Sequence, residues 1–193
     1  MKPSNVFSDI KSTNKNEDIL LSSETLNKSQ IDKILEDLNS ELSNRNKNLE
    51  ITVYGGSCLC IISKFRDVTY DVDLTSNDDR LLKDCIESLG YPKDLVNTEM
   101  SVFINLRETL DVYKKFSNLV VHVPTLPYLL ALKLKSSRDK DLIDCVNLCK
   151  ELGLNTIEQI KEIFCRYYSA VQFSSHRIMF VNKVLEKLKQ LMV

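Results

Sequence analysis

The sequence predicts an α/β protein in which a mixed β-sheet is flanked by helices and followed by a helical C-terminal part. Three patterns indicate this fold. Apolar and polar residues alternate over residues 68–74, which is the period of a half-buried strand. Apolar residues recur at helical spacing over residues 29–44. Beyond Thr125, the remaining chain carries helical patterns and helix caps.

The first part of the chain divides into short predicted elements joined by turn signals. Gly55-Gly56 predicts a tight turn, and Ser57 predicts the cap of the helix that follows. Gly90, followed by Pro92, predicts the end of another helix. The predicted elements are helix 29–44, strand 51–54, helix 57–65, strand 68–74, helix 78–89, strand 101–106, a strand around Asp111 and strand 119–123.

The C-terminal part predicts helices separated by a stop and a new start. Gly153 fits the end of one helix, and Thr156-Ile157-Glu158-Gln159 fits the capping box of the next. A last helix over residues 175–192 carries apolar residues at a spacing typical of burial: Ile178, Val181, Val184, Leu185, Leu188 and Leu191. We therefore divide the chain into a loose arm at 1–22, an α/β core at 23–125 and a helical part at 126–193 packed on the core.

Composition and charge set the outer bounds. The net charge of −1 gives no overall signature of a nucleic-acid-binding protein. The sequence contains no stretch of eighteen apolar residues, so we expect no membrane span. Residues 1–18 lack the apolar core of a signal peptide. We therefore expect a cytoplasmic protein with reduced thiols. The six cysteines lack the spacing of a zinc site, and His122 and His176 are remote from them in sequence. We interpret the cysteines as small buried apolar residues.

Two carboxylates mark the predicted strand over residues 68–74. Asp71 and Asp73 alternate with Val72 and Leu74, so both would project from one face, about 6 to 7 Å apart. Such a pair repels unless a cation lies between its members. Mg²⁺ usually takes one or two carboxylates and completes its shell with water and substrate phosphates. The pattern predicts a metal site for phosphoryl or nucleotidyl transfer, although a solvated strand face would show the same residues.

The Gly55-Gly56-Ser57 turn just upstream predicts a phosphate-binding site. Glycine lets the backbone approach a ligand closely, and the first N–H groups of a helix have no intrahelical partner. The helix dipole favours an anion at that end, and the Ser57 hydroxyl would add one donor. Alone, the tripeptide is a common loop sequence. Together with the acidic strand, it predicts a nucleotide site built around a metal.

Two stretches resemble motifs of a known superfamily. Gly55-Gly56-Ser57, a spacer of thirteen residues and then Asp71-Val72-Asp73-Leu74 resemble the first motif of the polymerase-beta-like nucleotidyltransferases. Pro127 to Leu134, followed by Arg138-Asp139-Lys140-Asp141-Leu142-Ile143-Asp144, is similar to a later motif of the abortive-infection and type IV toxin branch. The motif regions bracket residues 51–144. The resemblance implies a nucleotidyltransferase-type fold and transfer of a nucleoside monophosphate from a nucleoside triphosphate to an acceptor.

The resemblance also implies roles for the residues of the first motif. Asp71 and Asp73 match the metal-binding pair, which would hold Mg²⁺ or Mn²⁺. Gly55, Gly56 and Ser57 match the turn that contacts the nucleotide phosphates.

The second motif implies two further site residues. Lys133 matches a lysine that contacts the phosphates, and Asp144 matches the acid of the last motif. In one unbroken helix, eleven residues at about 100° each return to within about 20° of the same face, so both side chains would line one wall. A helix break within residues 136–139 would remove that argument. The alternative for Lys133 is a surface lysine whose stem packs along the helix.

The third carboxylate of the superfamily, a general base or extra metal ligand, is less clearly marked. Asp111, in a predicted strand, is our candidate, and either Asp111 or Asp144 would help to deprotonate the acceptor. Glu99 and Glu108 are alternatives, and a structural Asp at a strand or turn end would show the same pattern.

Local charge suggests partners. Four cations fall within eight residues of the second motif: Lys133, Lys135, Arg138 and Lys140. They would suit a triphosphate or the end of a tRNA, although a solvated helix face would show the same residues. The resemblance implies a nucleoside triphosphate, a tRNA or protein acceptor and a cognate antitoxin as partners. Two alternatives stay open, a non-catalytic nucleotide-binding relative and an enzyme that modifies a small molecule, as aminoglycoside nucleotidyltransferases do.

Overall fold

The structure of the protein, a computed structural model, describes residues 25–92, 94–98 and 110–191. The predicted arm at 1–22, the predicted strand 101–106, Glu99 and Glu108 lie outside the described residues. The strands are β1 (Leu26–Asn27), β2 (Leu49–Val53), β3 (Val68–Thr69), β4 (Val72–Ser76), β5 (Val96–Asn97), β6 (Leu110–Lys115) and β7 (Leu119–Pro124). The helices are α1 (Lys28–Asn44), α2 (Gly55–Ile62), α3 (Asp79–Ser88), α4 (Leu126–Ser136), α5 (Leu142–Glu151), α6 (Ile157–Tyr167) and α7 (Ser175–Leu191).

The main sheet has the order β5-β4-β2-β7-β6 over the described strands. The central strand β2 pairs antiparallel with β4 and parallel with β7. The flanking pairs are parallel for β4 and β5 and antiparallel for β6 and β7. A separate short pairing joins β1 to β3. The prediction of a mixed sheet flanked by helices, with a helical C-terminal part, is confirmed.

The strand register decides which side chains share a face. Val53 lies opposite Leu74, and Ile51 lies opposite Val121; all four are buried. This face belongs to the core, where α1 packs against β7. Because successive side chains of a strand point to opposite faces, Asp73 projects from the other face of β4.

The prediction of one strand over residues 68–74 is wrong. The chain forms β3 and β4 with a bend at Tyr70 and Asp71, because β3 pairs with β1 whereas β4 pairs with β2. Val68 is 45% exposed and Tyr70 is 74% exposed, so neither joins the core. The predicted alternation holds only from Val72 onward. Asp73 therefore lies in a strand, and Asp71 lies in the bend just before it.

The predicted helix over residues 57–65 begins and ends earlier than expected. Tyr54 is the N-cap of α2, and its carbonyl accepts the first helical bond from the Cys58 N–H at 2.9 Å. Ser57 is therefore inside the first turn and is not the cap. At the other end, the Ser63 hydroxyl donates to the Leu59 carbonyl at 2.6 Å. The Ser63 backbone N–H donates to the same carbonyl at 2.9 Å, and Ser63 has extended backbone angles, so the helix ends at Ile62.

Several predicted helix ends are confirmed. Gly90 and Gly153 have φ angles of +73° and +66°, the left-handed conformation of a helix end. Thr156 and Gln159 form the predicted capping box. On α7 the prediction is only partly right, since Ile178 is 38% exposed and Leu191 is 54% exposed. The buried residues of that helix are Phe180, Val181, Val184 and Leu188.

The interpretation of the cysteines is confirmed for five of six. All six are free thiols, and only Cys165 is not fully buried. Burial raises the pKa of Cys149 to about 12, so this thiol stays protonated at neutral pH. Among the described residues, no helix is long and apolar enough to cross a membrane.

Candidate active site

Asp73 is a half-buried carboxylate on the face of β4 that points away from the core. The Asn97 side chain on the neighbouring strand β5 donates to Asp73 Oδ1 at 3.0 Å. Burial raises the pKa of Asp73, and the nearby Asp71 carboxylate raises it further; the Asn97 hydrogen bond, Lys133 and Arg138 only partly offset this. The folded protein therefore keeps two carboxylates close together at a cost, which is the situation that a bound cation relieves.

Gly55 brings the start of α2 against Asp73. Its φ angle is +59°, and a Cβ atom placed there would overlap Asp73 Oδ2 and lie 3.0 Å from the Asp73 carboxyl carbon. Only glycine accepts both the left-handed backbone and this approach without strain. Gly56 is equally confined, because a Cβ atom there would lie 2.6 Å from Thr69 Oγ1 and 2.8 Å from an Arg66 guanidinium nitrogen.

Gly55→Ala is expected to destabilise the protein by more than Gly153→Ala, which is its matched control. Both glycines have a positive φ angle, so both substitutions carry the left-handed backbone cost of about 1–2 kcal/mol. A Cβ atom on Gly153 would meet nothing within 4 Å, whereas one on Gly55 must displace Asp73. Urea unfolding of the two variants measures the difference; equal losses would contradict a steric role for Gly55.

Ser57 is completely buried and its hydroxyl already has partners. The Oγ–H donates to the Tyr54 carbonyl at 2.8 Å, and Oγ accepts the Asp73 N–H at 3.3 Å. Ser57 thus ties the first turn of α2 to the strand that carries Asp73. Its contact with a nucleotide phosphate stays a prediction.

Lys133 lies at the centre of a buried ion cluster. Its ammonium is 3.0 Å from Asp141 Oδ1 and 2.7 Å from Asp144 Oδ2. Arg66 donates to the same Asp144 oxygen and connects the cluster to the Gly56 turn. The alternative of a surface lysine is wrong, because the Lys133 side chain is only 8% exposed. Asp144 holds two cations in this arrangement, so the structure places it as a support for Lys133.

The proximity of Lys133 and Asp144 does not come from an unbroken helix. Helix α4 ends at Ser136, and Ser137 takes the left-handed conformation with φ of +49°. A short 3₁₀ turn over residues 139–141 then leads into α5. The two side chains meet because the chain folds back after the break. The argument from one unbroken helix therefore does not apply, as expected for a break within residues 136–139.

Asp141 organises the turn after the break. Arg138 Nε and the Ser136 hydroxyl each donate to its Oδ2 at 2.8 Å. Burial raises the pKa of Asp141, but hydrogen bonds from Arg138, Lys133 and Ser136 and the Lys133 charge outweigh it, giving a pKa of about 2. This carboxylate is therefore fully ionised at neutral pH and fixes the orientation of the two cations.

Asp141→Asn is expected to be less stable than the wild-type protein at neutral pH, and this difference in stability is expected to become smaller in acid. The pKa of Asp141 is depressed in the folded state relative to about 3.9 in the unfolded chain, so its contribution is complete above pH 4 and fades toward pH 2. The difference in unfolding free energy between the protein and this variant should narrow by about 1 kcal/mol from pH 5 to pH 3. Urea unfolding across this range tests it, and a pH-independent difference would contradict the assigned pairing.

One cavity joins these parts. It has a volume of about 370 Å³ and is lined by Gly55, Asp73, Leu129, Leu132, Lys133, Lys135, Ser136 and Arg138. The acidic strand and glycine turn form one wall, and the last turn of α4 with its following turn forms the other. Three of the lining side chains are cations and one is a carboxylate, and Asp141 pairs with two of these cations, Lys133 and Arg138.

Asp111 is not brought to this cavity. It is exposed on β6, and the two strands β7 and β2 separate it from β4. Three strand spacings amount to about 14 Å. The structure therefore does not group this candidate third carboxylate with Asp71 and Asp73. Of the four predicted cations, Lys140 is exposed and does not line the cavity.

Several site residues had no assigned role from sequence. Asn97 and Arg66 do not belong to a recognisable motif. Each contacts an acid that is distant in sequence, and a local sequence pattern does not encode such a contact. Asp141 stands within the second motif, and its spacing of three residues from both Arg138 and Asp144 was the available signal. In the structure, Asp141 and Asp144 both contact the Lys133 ammonium.

The donor set fits a hard divalent cation. Within residues 25–92, 94–98 and 110–191, no group of three or more His, Cys, Asp or Glu side chains is arranged to hold a metal. Asp71 and Asp73 would supply two carboxylates, which is the usual protein share for Mg²⁺ when phosphates and water complete the shell. The raised pKa of Asp73 is consistent with this fit, because a cation between the carboxylates would lower it.

The sheet, the glycine turn and the acidic strand have the arrangement of a nucleotidyltransferase-like α/β fold. The family model described as "Nucleotidyltransferase of unknown function (DUF6036)" matches residues 29–187, and the chain belongs to this family. A search of curated proteins and a search of solved structures found no match. The family description supports a general nucleotidyltransferase function; membership of the abortive-infection and toxin branch stays a prediction.

Proposed function

We propose that the protein is a metal-dependent nucleotidyltransferase that transfers a nucleoside monophosphate from a nucleoside triphosphate to an acceptor hydroxyl. The observation that carries the proposal is the single cavity in which Gly55 and Asp73 face Lys133 and Arg138. In the reaction, the acceptor oxygen bonds to the α-phosphorus, the bond from that phosphorus to the bridging oxygen breaks, and pyrophosphate leaves. The acceptor proton passes to solvent or a base.

Asp71 and Asp73 are the residues that would hold Mg²⁺ or Mn²⁺. A divalent cation there would polarise the phosphate and offset negative charge on the pyrophosphate. The glycine turn offers backbone N–H groups and the positive end of the α2 dipole to the same phosphates.

Lys133 and Arg138 are proposed to bind the triphosphate from the opposite wall. Asp141 orients both cations, and Asp144 fixes Lys133 from its other side. We therefore propose Asp144 as a positioning residue for Lys133 in preference to the general base. The base itself is not assigned, since two strands, β2 and β7, separate Asp111 on β6 from β4.

The charge of the cavity supports an anionic acceptor more than a cationic drug. A positively charged small molecule would need an acidic pocket, whereas the charged side chains that line this cavity are Asp73 and three cations. Two of these cations, Lys133 and Arg138, are paired with Asp141 or Asp144, and Lys135 makes neither of these ion pairs. A tRNA, or a protein acceptor, is therefore our proposed substrate class. A role as the toxin of a toxin–antitoxin or phage-defence pair is part of the same proposal.

A labelling experiment tests the proposal. The purified protein is incubated with each α-labelled nucleoside triphosphate, Mg²⁺ or Mn²⁺, and total tRNA, beside the Asp71→Asn/Asp73→Asn variant. Label should appear in RNA or on protein only with the intact carboxylates. Nucleotide binding without transfer to any acceptor would favour the non-catalytic relative, and transfer only to an added aminoglycoside would favour the small-molecule enzyme.

A further inference from the structure

Arg177, on the C-terminal helix α7, reaches across to the end of α4. Its Nη2 donates to the Lys135 carbonyl at 2.8 Å, and its Nε donates to the Leu134 carbonyl. A third hydrogen bond goes from Nη1 to the Gln172 carbonyl. The guanidinium carbon also lies 4.8 Å from the centre of the Phe164 ring. Arg177 is thus fixed on four sides by α4, α6 and the segment before α7.

The carbonyls that Arg177 binds belong to the last turn of α4. The last four carbonyls of a helix have no intrahelical partner, and a cation at that end is favoured by the helix dipole. Arg177 donates to two of these groups at once, and the Ser137 hydroxyl also donates to the Leu134 carbonyl. Because Ser137 immediately leaves the helical conformation, this cap holds the point at which the chain turns toward Arg138 and Asp141.

The same turn of α4 supplies one wall of the cavity. Lys133, Lys135 and Ser136 line the cavity, and the Ser136 hydroxyl also donates to Asp141. The two carbonyls that Arg177 binds belong to Leu134 and Lys135, in the same stretch of chain as these side chains. A displacement of the turn would therefore move the proposed phosphate-binding cations together.

We propose that Arg177 is a positioning residue, which fixes the last turn of α4 and through it the cations of the substrate cavity. This gives the C-terminal helix a part in substrate binding, although Arg177 does not line the cavity. The enzymatic consequence rests on the proposed nucleotidyltransferase function. The structural consequence, a fixed turn over residues 133–141, does not depend on it.

Three variants test the inference. Arg177→Met keeps an unbranched apolar stem and removes the guanidinium with its donors, and Arg177→Lys keeps the charge with fewer aligned donors. Arg166→Met is the matched control, because Arg166 is an exposed arginine of α6 that pairs with Glu162 on the surface. Amide hydrogen exchange of residues 133–141 is followed in the full chain, together with the KM and kcat for the nucleoside triphosphate.

We expect exchange over residues 133–141 to be about tenfold faster in Arg177→Met, intermediate in Arg177→Lys and unchanged in Arg166→Met. The KM for the triphosphate should rise about tenfold in Arg177→Met, with kcat within about twofold, and Arg177→Lys should recover part of it. A merely structural role would lower the melting temperature without this KM change. Should Arg177→Met fail to fold, the comparison of Arg177→Lys with Arg166→Met decides.

The experiments test the positioning role of Arg177 and the proposed enzymatic function separately. Unchanged exchange over residues 133–141 in both folded Arg177 variants would overturn the positioning role. Faster exchange with a normal KM would also overturn it as a determinant of substrate binding. A wild-type protein that neither binds nor transfers nucleotide would overturn the proposed function, and the exchange measurement would still decide whether Arg177 fixes the turn.

Discussion

Asp73→Asn is expected to reduce nucleotidyl transfer by about 10²- to 10³-fold while leaving the folded protein as stable as before. The loss follows from removing one of two carboxylates that hold the metal, and single electrostatic groups in active sites carry effects of about this size. The retained stability follows from the raised pKa of Asp73. Because burial and Asp71 disfavour the charged form, the neutral amide removes an unfavourable charge.

The measurement pairs initial rates of transfer with urea unfolding. Asp67→Asn is the matched control, since Asp67 is an exposed carboxylate a few residues before the acidic strand and lies outside the cavity. It should keep full activity. An Asp73→Asn protein with undiminished metal-dependent transfer would show that the chemistry takes place elsewhere. A large loss of stability in that variant would instead contradict the cost assigned to the charged Asp73.

The sequence predicted those parts of the site whose residues are close together in the chain. The glycine turn and the acidic strand were recognisable because a positive φ angle needs glycine and a metal needs carboxylates at close spacing. Even there, the pattern misjudged the strand. Tyr70 fits the alternation, but pairing of β3 with β1 takes it out of the sheet that carries Asp73.

The second wall of the cavity was predicted less well because it depends on packing between distant parts of the chain. Arg66 reaches Asp144 across 78 positions of sequence. On the first wall, Asn97 likewise reaches Asp73 across 24 positions. Arg177 reaches the end of α4 across more than forty. Local patterns do not encode such contacts, because each side chain alone is an ordinary surface residue of its own element. They follow only once the sheet order and the helix packing are known.

Caps and helix stops were predicted more reliably because each is decided within a few residues. Thr156 and Gln159 satisfy each other's backbone donors whatever the rest of the fold does. The C-terminal helix shows the limit of this reasoning. Leu191 has the right spacing for burial, yet it is 54% exposed, since burial also requires a neighbouring element at that height.

Lys133→Met is expected to lower the free energy of unfolding by about 3 kcal/mol at pH 7. The substitution keeps the volume of the side chain but leaves Asp141 and Asp144 without their shared cation in a buried site. Each acid keeps one arginine, Arg138 or Arg66, so the cluster is weakened and not abolished. Lys135→Met is the control: its ammonium lies over the Tyr168 ring at 5.1 Å, and such a contact contributes only about 1 kcal/mol.

The pH dependence of this loss separates an unpaired buried charge from simple loss of packing. In the wild-type protein the pKa of Asp141 is depressed, so its contribution is constant between pH 7 and pH 5. Without Lys133, the charged form of Asp141 is disfavoured and the pKa of Asp141 rises, so lowering the pH toward 5 should restore part of the stability. We expect the deficit of Lys133→Met to shrink by about 1 kcal/mol over that range. Two results would contradict this expectation: a deficit that is independent of pH, and a deficit no larger than that of Lys135→Met. Either result would mean that Lys133 lies in the cluster without stabilising it. The burial of the two charged acids would then depend on Arg66 and Arg138 alone.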